Sequence, residues 1–149
     1  MDGVTALVCA AACGADLVAL QAARELELRR RIVLPFSVEM FKKSSVIDRP
    51  GADPWDWGKM YDRFVREAED AGDLHVLGYN PDDPEVYEKT NEAILDDALA
   101  IAAPDEVEAE ALVVWDKRLT TGHDYTAHFL HQAERRHMPV KTIPILEPA

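Results

Sequence analysis

Five short apolar runs, each about one strand long and continuous rather than alternating, constrain this chain more than any other feature. They are Val4–Ala10, Arg31–Pro35, Leu74–Tyr79, Ala111–Trp115 and Val140–Ile145. A strand that is apolar on both faces belongs in a parallel sheet with both faces covered. Helical periodicity fills the intervals. Asp16–Leu28 carries a stripe through Leu17, Leu20, Ala23 and Leu26–Glu27, and Trp57–Ala71 one through Met60, Tyr61, Phe64, Val65 and Ala68. Pro84–Ala102 starts on a proline behind Asp83, and Asp124–His137 carries Ala127, Phe129, Leu130 and Ala133. Strands alternating with helices predict an α/β, three-layer Rossmann-like fold with a mostly parallel sheet of about five strands and helices on both faces.

The length of 149 residues suits a single domain over residues 1–149 with a sizeable core. Residues 42–56 (KKSSVIDRPGADPWD) break the alternation and read as one extended loop, long enough to form a ligand wall. Acidic residues number 28 against 16 basic ones, a formal charge of −12. Such a surface repels nucleic acid and anionic membranes, because both are bound through clustered Lys and Arg. A small phosphorylated ligand is still accommodated, since a few backbone N–H groups at a helix start outweigh the average field locally. Cys9 and Cys13 are too few for a disulfide framework and read as reduced thiols of a cytoplasmic protein. No secretory leader or membrane-length apolar stretch is evident.

In open α/β sheets, ligands sit outside the carboxyl ends of the strands. The first strand runs into Ala11-Ala12-Cys13-Gly14-Ala15-Asp16, where small residues let a ligand approach the backbone and Asp16 either caps the helix or accepts a ligand hydroxyl. The fourth runs into residues 116–126 (DKRLTTGHDYT), where two threonine hydroxyls, Gly122 and a helix start make an anion cradle to which Lys117 and Arg118 add positive charge, or else a left-handed turn at Gly122 followed by an Asp124 cap. A Gly14→Val or Gly122→Val change is then expected to weaken ligand binding more than folding. Lys42, Lys43, Ser44 and Ser45 either close over a phosphate or are simply solvated. His123, His128 and His131 lack the companion ligands of a metal motif, so no metal and no cofactor is expected. His75 reads as a satisfied strand histidine. Asn91 either reaches the crevice or lies on the surface. Neither G-x-G-x-x-G, the P-loop nor a G-x-S-x-G elbow is present.

Ala11–Asp16 (AACGAD) with Leu17–Ala23, the strand end Val33-Leu34-Pro35-Phe36, Phe41–Val46 (FKKSSV) before Trp57-Gly58, and Val114-Trp115-Asp116 before Gly122–Ala127 together resemble a Rossmann-like group related to the SLOG superfamily. That superfamily includes the DNA-processing protein DprA and the Lonely Guy phosphoribohydrolases. The resemblance spans nearly the whole chain. It implies a domain that binds nucleotides or nucleotide-derived signals, with Gly14 and Asp16 at one phosphate or ribose contact, Gly122 and Thr126 at the other, and Ser44 in the covering loop; Cys13, Asp116 and His123 stand beside these as further candidate ligand contacts. In that group a strand-plus-glycine segment precedes the strand read here as the first. The sheet is therefore expected to be one strand short or to have that edge covered by a second copy of the chain. The Lonely Guy P-G-G-x-G-T-x-x-E signature is replaced by Thr121–Thr126 with no following glutamate, which speaks against that hydrolysis.

Three readings follow. The first is binding or sensing of a nucleotide-like ligand without strong catalysis. The second is an enzyme acting on an N-glycosidic bond, a phosphoribohydrolase or deoxyribosyltransferase type, with Asp16 or Asp124 as the carboxylate. The third is a structural or interaction domain with a vestigial crevice.

Overall fold

The computed structural model describes residues 4–48, 56–115 and 125–144. The elements run β1 (Ala6–Cys9), α1 (Ala15–Glu25), β2 (Arg29–Leu34), α2 (Val38–Ser45), α3 (Trp57–Asp70), β3 (Leu74–Val76), α4 (Val86–Ala102), β4 (Ala111–Trp115), α5 (Tyr125–Arg135) and β5 (Val140–Pro144), with one 3-10 turn at Ala103–Asp105. All described strand pairs are parallel. The α/β class and the parallel pairing follow the sequence pattern. Contacts divide the chain into two compact units, Met1–Val86 and Tyr87–Ala149.

The first unit is a three-stranded sheet in the order β1-β2-β3. The central strand, β2, registers Ile32 against Leu74 and Cys9, and its Ile32, Val33 and Leu34 are fully buried. Each such side chain contributes about 1.5–3 kcal/mol by leaving water. α1 buries Leu17, Leu20 and Ala23, and α3 buries Tyr61, Phe64, Val65 and Ala68, the faces their helical period marks out. Because β1, β2 and β3 succeed one another across the sheet, consecutive right-handed crossovers put α1 and α3 on the same face. The Arg24–Glu67 ion pair (3.0 Å) bridges these two helices. A helix on each face needs a reversal of strand order, which this sheet does not contain.

The second unit pairs β4 with β5, Ala111 opposite Val140. Its core gathers Leu95, Ala111, Ala133 and Met138, with Leu99, Ala109, Phe129 and Val140 packed against them. Arg136, just past α5, pairs with Asp96 of α4 at 2.9 Å.

Two expectations are corrected. One five-stranded sheet is replaced by sheets of three and two strands. Continuous apolar runs are blind to which strand lies at an edge, and they overstate coverage: β1 is only half-buried, and Val76 of β3 and Leu112 of β4 are exposed. The extended loop expected from Lys42 onward does not start there, because Lys42, Lys43, Ser44 and Ser45 form the last turn of α2; residues 49–55 of that stretch lie outside the described residues. Ser37 starts that helix by accepting from the Met40 N–H (3.3 Å), a cap that the two downstream prolines and glycine obscured. Among the described residues, no helix is long and apolar enough to cross a membrane.

Candidate functional site at the β1–α1 corner

β1 ends at Cys9, and the chain must reverse within a few residues to enter α1. Ala11, fully buried, fills the space under the turn. Gly14 completes the reversal with φ 95° and ψ −126°, a conformation open essentially to glycine alone. A Cβ built on Gly14 would meet nothing within 4 Å. The glycine is therefore required by backbone conformation, and the space in front of it is open. Gly14 supplies no side chain to cap the first N–H groups of α1, whose first helical bond runs from the Val18 N–H to the Gly14 carbonyl (3.0 Å).

Asp16, in the first turn of α1, reaches back so that its Oδ2 accepts from the Ala12 N–H at 3.2 Å. Burial raises its pKa to about 6, with the Ala12 N–H pulling the other way. Cys9 lies close enough to feel that carboxylate. Burial first, and the Asp16 charge second, hold its thiol well above its ordinary pKa. Cys9 and Cys13 are half-buried and not joined in a disulfide, and a thiol held high in pKa as Cys9 is favours its protonated form.

The Cys13 N–H donates to the Ser45 carbonyl at 3.0 Å, which fastens the turn to the end of α2. α2 is itself fixed by aromatic packing. Phe41 stacks on Tyr61 and lies against Phe36, with ring centroids 6.1 Å apart in each pair, and the Tyr61 hydroxyl donates to the Val38 carbonyl at 2.7 Å. Thus Cys13, Gly14 and Asp16 share one corner with the end of α2. Ser44 lies on that last turn, exposed, its hydroxyl donating weakly to the Phe41 carbonyl (3.4 Å) and 3.2 Å from that of Ser45. Lys42 is held by Asp62 (2.9 Å), while Lys43 is exposed.

Of the other expected residues, Asp116, Gly122, His123 and Asp124 lie outside the described residues. Thr126 stands half-buried in the first turn of α5, in the second unit. His131 is exposed. Among the described residues, no group of three or more His, Cys, Asp or Glu side chains is placed to hold a metal ion. Sequence reasoning missed the parts played by Cys9, Ala12 and Ser45. Period-two spacing could have turned Cys9 toward the corner, but no sequence signal announces a backbone carbonyl as an anchor. Comparison with protein-family models, curated proteins and solved structures finds no match for this chain.

Proposed function

We propose that the first unit binds a nucleotide or nucleotide-derived phosphate ligand at the β1–α1 corner. The observation that carries this reading is Gly14: a glycine-only backbone conformation, open space before it, and a helix start behind it without a side-chain cap. Helix-start N–H groups of this kind favour anions. Asp16 is the group that would accept a sugar hydroxyl, and the tethered end of α2 would border the ligand. Pyrophosphate and nucleoside diphosphates added to the chain should move the backbone amide resonances of Cys13, Gly14 and Asp16 and raise the melting temperature by mass action on the folded state. Saturating concentrations that leave those three amides in place would rule the reading out.

A second reading, cleavage or transfer at the N-glycosidic bond of a nucleotide, is favoured by one feature. Asp16 is a carboxyl whose pKa, about 6, suits proton transfer near neutral pH. Incubation with nucleoside monophosphates should then release free base, and Asp16→Asn should abolish the release while the chain remains folded. Binding without base release assigns the corner to sensing alone.

A further inference from the structure

The second unit carries a side-chain cluster that the corner does not use. α5 crosses back between the parallel strands β4 and β5, so its first turn stands at their carboxyl edge, where sheets of this class take ligands. Tyr125 opens that turn, and its ring meets Tyr87 from the first turn of α4 edge to face, with centroids 5.4 Å apart and planes at 62°. Asn91, one helical turn beyond Tyr87, joins the two helices. Its Nδ2 donates to the Tyr125 carbonyl at 3.0 Å and lies 3.3 Å from Nδ1 of His128.

These bonds fix the chemistry of the histidine. A carbonyl only accepts, so the amide nitrogen of Asn91 must face it, since the turned amide would set two oxygens against each other. The second hydrogen on that nitrogen meets the lone pair of Nδ1, which leaves the ring proton of His128 on Nε2. Tyr125 is 37% exposed, and Tyr87, Asn91 and His128 are half-buried. Packing two helices asks for neither a fixed imidazole tautomer nor an aromatic ring as exposed as that of Tyr125.

The geometry points to a binding site for a planar heteroaromatic ring of nucleobase type, formed by Tyr87, Asn91, Tyr125 and His128. The tyrosine pair offers a stacking surface that accepts any base. The Nε2–H of His128 donates to a ring nitrogen or an exocyclic carbonyl, which adenine and uracil both supply. No phosphate is needed, so the site goes beyond the reading of the β1–α1 corner and stands without it.

Uncharged adenosine and uridine, titrated into the full chain, test it. At least one of them should move the His128 ring and Asn91 side-chain amide resonances saturably. Tyr125→Leu and His128→Phe should each weaken that binding roughly tenfold, and Tyr125→Phe should retain it. The helix-joining bond uses the backbone carbonyl of Tyr125, so these side-chain changes leave it in place. If neither nucleoside shifts those resonances at millimolar concentration, or if Tyr125→Leu and His128→Phe bind as the parent does, the inference is overturned. Pyrophosphate failing to move the Gly14 amide would sink the corner and leave this titration untouched.

Discussion

At the amino end of the β1-β2-β3 sheet, Asp73 takes the Arg29 guanidinium in a two-pronged bond (2.8 and 3.0 Å) with Arg31 at 3.5 Å, and nearby Glu67 takes Arg24, Arg30 and Arg63. At the carboxyl end, Asp16 takes one backbone N–H and, among the described residues, no cation. The consequences are opposite in sign. The Arg29 hydrogen bonds hold Asp73 below its ordinary pKa against the pull of burial. Partial burial of Glu67 pushes its pKa up, but Arg30 and Arg24 outweigh it and bring the net shift down. Asp16 is driven up to about 6. Carboxylates that stabilise the sheet are given arginines. One that, among the described residues, has no arginine costs stability when ionised.

The sharpest way to break this contrast is to remove the better-paired acid. Asp73 is nearly buried, and Asp73→Ala would leave Arg29 and Arg31 without their shared partner. Half of Arg29 stays in water, so the loss should be about 2–3 kcal/mol, at the lower end for a broken buried pair. Urea unfolding measures it. A loss below 1 kcal/mol would mean that the amino-end network is ornamental, and the contrast would lose one side.

The pH dependence of stability sharpens the other side. Asp16 binds its proton more tightly folded (about 6) than unfolded (about 3.9). Between those values the native state holds a proton that the unfolded chain has released, so stability falls as pH rises through that window and the deficit is complete above pH 6. The size is on the order of 2 kcal/mol, at 1.36 kcal/mol per pKa unit and less some residual solvation. Asp73 and Glu67 act the other way: their contribution is present above about pH 4 and is lost as pH falls through their lowered values. Asp16→Asn keeps an acceptor for the Ala12 N–H. It should flatten the curve between pH 4 and 6 and stabilise the chain at pH 7.5. An unchanged slope in that variant would assign the window to another group.

Much of this contrast was written in the sequence, and the rest could not have been. The stripes through Leu17, Leu20 and Ala23 and through Tyr61, Phe64, Val65 and Ala68 announced α1 and α3 because a helix must bury one face; those residues are buried, while Leu26, past the end of α1, is exposed and Met60 is half-buried. Gly14 and Asp16 stood out because a glycine and a carboxylate after an apolar run mark a strand-to-helix turn. What stayed hidden depends on partners distant in sequence. Arg29 and Asp73 are 44 residues apart, and nothing local says that Asp73 has a cation while Asp16, among the described residues, has none. Edge pairing is hidden for the same reason, which is why one sheet was expected where β1-β2-β3 and β4-β5 form separately. The role expected of Gly14 also shifts. Substitution there strains the backbone whatever the ligand does, so Gly14→Ala should cost about 1–2 kcal/mol of folding stability by the same urea measurement. A neutral result would show that the turn relaxes to another conformation.

The smallest effect tests whether the carboxyl-end corner is held from outside itself. Tyr61 is buried in α3, and its hydroxyl reaches the Val38 carbonyl at the start of α2, whose other end holds the Cys13 N–H through Ser45. Tyr61→Phe keeps the ring stacked on Phe41 and removes one hydrogen bond, so global stability should fall by only about 1 kcal/mol. If α2 acts as a rigid strut, loosening its first turn should also speed hydrogen exchange at the Cys13 amide more than at the amides of Ile32, Val33 and Leu34 in the buried strand β2. Equal acceleration at both would mean that the corner has no stability of its own to lose, and that the open space before Gly14 is set by the sheet alone.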